Sequence, residues 1–182
     1  IWEIMINNLL KDDIEKIVKN TKDIASYFKG KRVLITGGNG FLGKYIIKVF
    51  QEYNKILEKP LEIIVLDVTI RKSKIYKSPN IHLIKKDVSK KFTINKKIDL
   101  IIHAAGIASP FYYRKSPIET LDVAINGTRN CLDIAKKHKS KFIFFSSSEI
   151  YGDPDKVNVP TKETYRGNVS TLGPRACYDE SK

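Results

Sequence analysis

Ahead of residue 31, apolar positions recur at helical spacing: Ile14, Ile17, Val18, Ile24, Ala25 and Phe28 form one stripe on a charged segment ending near Gly30. Asp12 and Glu15 stand at capping-box spacing and predict where that helix starts. Residues 1–30 are expected to be an amphipathic helical extension, packed on the main domain or on a partner subunit, with no chemistry of its own. From Lys31 the pattern changes to short apolar runs separated by polar stretches. RVLIT (32–36) predicts a buried strand, and residues 41–54 a helix by period. LEIIVLD (61–67), IHLIKKD (81–87) and IDLIIHAA (98–105) predict three further strands. Pro117 to His138 predicts a long helix and KFIFFSS (141–147) a fifth strand. Strands separated by helical segments mean parallel βαβ units, so the fold class is α/β, a doubly wound parallel sheet covered on both faces. The stretch 152–174, with Pro154, Pro160, Gly167, Gly173 and Pro174, reads as loop, and a helix is expected from about Arg175.

A chain of 182 residues, 42% hydrophobic and 29% charged, suits one sizeable core. No apolar run approaches the roughly 18 residues needed to span a membrane. IWEIMINNLL lacks the basic flank of a secretory signal and is interrupted by Glu3 and two Asn. Cys131 and Cys177 match no metal or redox spacing, so a reducing, cytoplasmic setting without a metal site is expected. The net charge of +13 comes from lysines scattered in ones and twos, with no nucleic-acid motif beside them. It reads as a solvated surface that attracts anionic substrates, with no nucleic-acid or membrane partner.

The run TGGNGFLG (36–43) directly follows the first strand and opens a helix. Backbone N–H groups and the positive helix end meet there, which suits a phosphate. Gly37 permits the tight turn, Gly40 lets the backbone approach a pyrophosphate, and Gly43 lets the helix pack close to the sheet; Phe41 and Leu42 lie between them. Asp67 ends the second strand 24 residues after Gly43, where a carboxylate accepts hydrogen bonds from adenosine ribose hydroxyls and repels a 2′-phosphate. That favours NAD over NADP, although Arg71 and Lys72 follow closely and could in principle hold such a phosphate.

Tyr178 and Lys182 are four residues apart in a predicted helix and share one face. A free tyrosine, with a pKa of about 10, is a poor base at neutral pH. A nearby ammonium and an oxidised nicotinamide favour the phenolate and make Tyr178 a usable general base. Ser146, Ser147 and Ser148 close the fifth strand at the carboxyl edge, where ligands of such sheets bind.

The glycine turn, Asp67, Lys86-Asp87-Val88, His103-Ala104-Ala105-Gly106, SSSEIYGD (146–153) and YDESK (178–182) together resemble the extended short-chain dehydrogenase/reductases that act on nucleotide sugars. The resemblance covers residues 31–182 and implies a Rossmann-type NAD-binding domain. SSSEIYGDP (146–154), Asn168-Val169, GPRACYDESK (173–182) and ASPFYY (108–113) with Pro117-Ile118 and Thr120-Leu121 are similar to the UDP-glucuronate decarboxylases. That likeness implies that Ser147 hydrogen-bonds the sugar 4-hydroxyl and Tyr178, and that Glu149 orients the reacting groups. Tyr113 and Ser148 would line the sugar site, Asp87 and Val88 flank the adenine, and Ala104, Ala105, Gly106, Tyr178 and Lys182 contact the cofactor.

Two neighbouring reactions fit less well. Hexose 4,6-dehydratases of this family carry an acid where Ser148 stands, and 4-epimerases usually lack a Glu at the position of Glu149. A non-catalytic NAD-binding module is the alternative of another class. One departure from the family pattern is Ala124, where an Asn usually precedes Gly127-Thr128 by three positions; Asn126 is nearby but on another helical position. The resemblance also implies further strands and a small C-terminal domain that binds uridine diphosphate. The 182 residues are therefore expected to be incomplete, binding NAD weakly at best without turning over a nucleotide sugar, while the full-length protein is expected to be a homodimer.

Overall fold

The computed structural model describes residues 2–70 and 76–182, with side chains from residue 10 onward. The runs of Val, Ile and Leu that predict strands form β1 (Arg32–Thr36), β2 (Glu62–Asp67), β3 (Ile81–Lys85), β4 (Leu100–His103) and β5 (Lys141–Phe144). All pair in parallel in the order β3-β2-β1-β4-β5. In the centre, Leu34 is in register with Ile64 on one side and Ile101 on the other. Both faces of these middle strands are buried, which is why they read as continuous apolar runs rather than alternating ones. β5 is shorter than expected, and Ile143 on it is exposed.

One face packs against α3 (Phe41–Tyr53) and the N-terminal segment. Val33, Ile35, Ile63 and Val65 meet Ile47, Phe50 and Tyr53 there. The other face lies under α5 (Pro117–His138), where Leu34, Ile64, Leu66 and Ile101 meet Cys131, Ile134 and Ala135. Here the structure departs from strict strand–helix alternation. Residues 86–99, between β3 and β4, form no helix; Val88, Ile94 and Ile98 of that extended connection are buried in the same core and do the covering instead. Apolar side chains are needed over the sheet, but a helix is not the only way to supply them.

The N-terminal segment differs from the single capped helix expected. It comprises α1 (Trp2–Asn20), α2 (Lys22–Ala25) and a 3-10 turn over Ser26–Phe28. Asp12 and Glu15 sit inside α1, so they cap nothing; Glu15 instead pairs with Lys11 one turn back at 3.8 Å. The stripe splits by burial. Ile14 and Ala25 are in the core with Val18 and Phe28 packed against it, while Ile17 and Ile24 are exposed. Tyr45 of α3 donates to Asp13 at 3.1 Å, and the Tyr53 hydroxyl lies 2.6 Å from Thr21 Oγ1.

Three short elements beyond β4 have no counterpart in the hydrophobic pattern. α4 (Pro110–Lys115) starts on Pro110, and 3-10 turns span Ser148–Tyr151 and Lys156–Asn158. α6 is only Ala176–Asp179, so Lys182 lies one turn beyond it rather than inside a helix. Its N–H still reaches the Asp179 carbonyl at 3.3 Å, which keeps the chain winding and Lys182 near Tyr178.

Candidate active site

The carboxyl ends of β1, β2 and β4 open into a cleft of ≈ 500 Å³, at the place where strand order reverses. Gly37 and Gly40 form its floor, Asp67 and Asp87-Val88 one wall, and Ala104, Ala105 and Gly106 the other. Gly37 has φ +69, and a Cβ there would stand 2.7 Å from the Ala105 nitrogen. Gly43 does not line the cleft; a Cβ on it would lie 2.6 Å from the Gly37 carbonyl oxygen, so its role is the close seating of α3. Phe41 and Leu42 open α3, but their side chains are exposed, leaving only their backbone at the helix start for a ligand.

Asp67 is held by the chain around it. Its Oδ2 accepts from the Asn39 N–H at 2.9 Å and its Oδ1 from the Thr69 N–H at 3.0 Å. Asp87 accepts from the Ser89 N–H at 2.9 Å and hydroxyl at 2.8 Å, and the Val88 carbonyl accepts from Asn130 at 2.9 Å. Arg71 and Lys72 lie outside the described residues. Asn39, Thr69 and Lys86 also line the cleft. Lys86 stands in the Lys86-Asp87-Val88 run, whereas no sequence spacing singles out Asn39 or Thr69, although Asn39 lies inside the glycine run.

A second cluster lies beyond the cleft. Tyr113 of α4 is buried and stacks on Tyr178 of α6, with ring centroids 5.0 Å apart and an interplanar angle of 17°. Lys182 Nζ lies 5.2 Å from the centre of the Tyr178 ring, and burial pulls its pKa down. Ser147 begins the 3-10 turn, its hydroxyl accepting from the Glu149 N–H at 3.4 Å. Among the described residues no hydrogen bond joins Ser147 to Tyr178, so the structure does not bring that expected pair together. Ser148 is exposed. Glu149 is paired instead with Arg175, 2.5 Å away, and the same guanidinium nitrogen is 3.6 Å from Asp179. Arg175 escaped the sequence reading, although a cation three residues before Tyr178 was the available signal. Ala124 is buried on α5, and Asn126 donates to Asp122 at 3.1 Å on the exposed side, so it does not stand in for the missing Asn.

His103, at the end of β4, is buried beneath both clusters. Its Nδ1 is 2.6 Å from Thr36 Oγ1, and its Nε2 has no hydrogen-bond partner among the described residues. Burial, and then the Lys182 charge, lower its pKa to about 4. Burial likewise pushes the neighbouring Cys131 thiol up to about 12, leaving it unreactive. Below about pH 6.5 the unfolded chain takes up a proton on this histidine that the folded chain refuses until about pH 4. The unfolded state then binds more protons, so stability falls as pH drops through that window. Urea titrations are expected to show a loss on the order of 3 kcal/mol from this group between pH 7 and pH 4. A His103→Asn variant is expected to lack that share of the pH dependence.

Residues 33–182 match the NAD dependent epimerase/dehydratase family. The chain belongs to that family. Among curated members, UDP-glucuronic acid decarboxylase 1 of Arabidopsis thaliana is 38% identical over 159 residues, covering 85% of this chain and 34% of the relative. UDP-glucuronic acid decarboxylase 1 of Danio rerio is 40% identical over 157 residues, covering 84% of this chain and 35% of the relative. This epimerase/dehydratase chain therefore spans about a third of the length of these curated relatives. The crystal structure of UDP-glucose 4-epimerase from Bifidobacterium longum in complex with NAD+ and UDP aligns with a TM-score of 0.62 and 26% identity, over 84% of this chain and 46% of that one. The Rossmann-type sheet is shared, and NAD is the cofactor of the family. The cleft fits it: two glycines admit no side chain beside the turn, and a carboxylate waits at the end of β2.

Proposed function

We propose that these residues belong to an enzyme that decarboxylates UDP-glucuronate to UDP-xylose through a 4-keto sugar. The observation that carries this reading is the convergence of Tyr178, Lys182, Glu149 and Arg175 at the carboxyl edge of the sheet. The absence of an acid at Ser148 supports it against a dehydratase.

On this reading the glycine turn and the start of α3 hold the pyrophosphate of NAD, and Asp67 accepts from the adenosine ribose. Asp87 and Val88 flank the adenine, and Ala104, Ala105 and Gly106 run alongside the cofactor. Bound NAD supplies the oxidation of the sugar C4 to a ketone and its later reversal, so it is regenerated in each turnover. Tyr178 takes the proton of the 4-hydroxyl, and the nearby Lys182 ammonium favours its phenolate. Tyr113 holds the Tyr178 ring in plane. Ser147 holds the 4-oxygen. The ketone at C4 stands β to the carboxylate, so the carbon–carbon bond breaks with its electrons accepted as an enolate. Carbon dioxide leaves, and C5 is reprotonated. Arg175 keeps Glu149 from drifting into solvent, so its carboxylate stays beside the reacting carbons. No metal enters this scheme.

UDP-glucuronate is the partner in this reading, and the basic surface favours its approach. The whole protein is a homodimer on the same reading, since Ile118, Ile125 and Leu132 stand exposed at seven-residue intervals along α5. No helix among the described residues is long and apolar enough to cross a membrane.

The test incubates the whole protein with UDP-glucuronic acid and follows the sugar nucleotides by proton NMR with no added reductant. UDP-xylose is the expected product. An epimerised uronic acid with the carboxylate retained would replace the decarboxylase reading with an epimerase.

A further inference from the structure

Around Asp67 the chain closes a hydrogen-bond circuit larger than ribose binding alone calls for. The Asn39 N–H donates to Asp67 Oδ2 at 2.9 Å, while the Asn39 side-chain amide donates to the Thr69 carbonyl and hydroxyl, each at 3.1 Å. The Thr69 hydroxyl passes its own proton to Asp67 Oδ1 at 3.2 Å, beside the Thr69 N–H at 3.0 Å. Behind them the buried Tyr76 hydroxyl donates to Asn39 Oδ1 at 2.9 Å, with the Gly38 carbonyl at 3.4 Å. Asn39 thus ties three segments together: the glycine turn, the end of β2 and the approach to β3.

Counting lone pairs shows what the circuit leaves available. A carboxylate offers about four acceptor positions. Thr69 uses two on Oδ1 and Asn39 one on Oδ2. Among the described residues one remains, on Oδ2, enough for a single hydroxyl donor. With both oxygens tethered, the carboxylate cannot swing toward solvent when an anion approaches.

We propose that Asn39 and Tyr76 are positioning residues that set the preference for NAD over NADP. They act through Asp67, by holding its negative charge and its one vacant lone pair where the 2′ substituent of the adenosine ribose arrives. A 2′-hydroxyl completes the carboxylate's hydrogen bonding, whereas a 2′-phosphate meets a charge that cannot move aside. The proposal rests on the reading of this cleft as the NAD site.

Calorimetric titration of the whole protein with NAD+ and with NADP+ gives the ratio of the two dissociation constants. Tyr76→Phe keeps the buried ring and removes only the hydroxyl. Asn39→Ala removes the side-chain amide that joins Thr69 to Tyr76 and keeps the N–H that reaches Asp67. Each is expected to shrink the preference for NAD+ about tenfold, NAD+ binding more weakly and NADP+ no worse or better than before. Thr69→Val, at an exposed position, is expected to act in the same direction and serves if Asn39→Ala does not fold. Equal weakening of both coenzymes by the folded variants, with the ratio unchanged, would reduce the circuit to a structural support and overturn the proposal. A wild-type chain that binds neither coenzyme overturns it together with the NAD reading of the cleft. An unreactive UDP-glucuronate beside an intact, variant-sensitive NAD+ preference sinks only the decarboxylase reading.

Discussion

Tyr178→Phe in the whole protein is expected to lower the rate of carbon dioxide release from UDP-glucuronate about 10³-fold while leaving NAD affinity nearly unchanged. The substitution removes one oxygen and keeps the ring that stacks on Tyr113 5.0 Å away, so packing around α6 survives. What is lost is the group that takes the 4-hydroxyl proton. Ser147 and Glu149 do not replace it: the Ser147 hydroxyl is hydrogen-bonded within its own turn, and Glu149 is neutralised by Arg175. Single-turnover kinetics and a direct titration of NAD separate the two effects. Turnover within a few-fold of wild type would strip Tyr178 of its assigned role as the base.

The second large effect is expected from Gly43→Ala, far from the reacting atoms. A Cβ at that position lies 2.6 Å from both the Gly37 carbonyl oxygen and the Gly38 Cα, and neither is the end of a flexible side chain. α3 has to move off the turn, which strains the start of the helix and tilts its free N–H groups away from a pyrophosphate. The expected costs are about 3 kcal/mol of stability and a loss of NAD affinity of about a hundredfold. Chemical denaturation and calorimetry read the two separately. An alanine variant with unchanged midpoint and unchanged affinity would mean that the turn tolerates a wider gap than its contacts allow.

The contrast between those two sites explains what was legible in the sequence. β1, β2 and β4 are buried on both faces, so their Val-Ile-Leu runs announced them, and α5 matched its expected limits of Pro117 and His138. The glycine turn was readable because its residue type follows from backbone space alone. Elements held by tertiary contacts were not. The 86–99 connection covers the sheet through three spaced apolar residues, a pattern too sparse to distinguish from loop. Asp12 and Glu15 had the spacing of a cap, but the helix continues upstream of them to Trp2, and spacing cannot report that. In the candidate site, Tyr178, Lys182 and Glu149 could be named from the sequence because they fall in recognisable runs. Arg175, Asn39 and Tyr76 were not: each is bonded to a partner distant in sequence, and partnership of that kind is set by the fold.

The segment ahead of β1 acquires a meaning from what it covers. Ile14 and Ala25 sit in the same core as Phe50 and Tyr53, and Tyr53 spends its hydroxyl on Thr21. Without residues 1–30, the outer flank of α3 would present the rings of Phe50 and Tyr53 to solvent, a patch prone to adhere to its own copies. The same helix presents its opposite end to the cofactor. The leading residues thus occupy the oily side of α3, at the far end of the helix from the glycine turn.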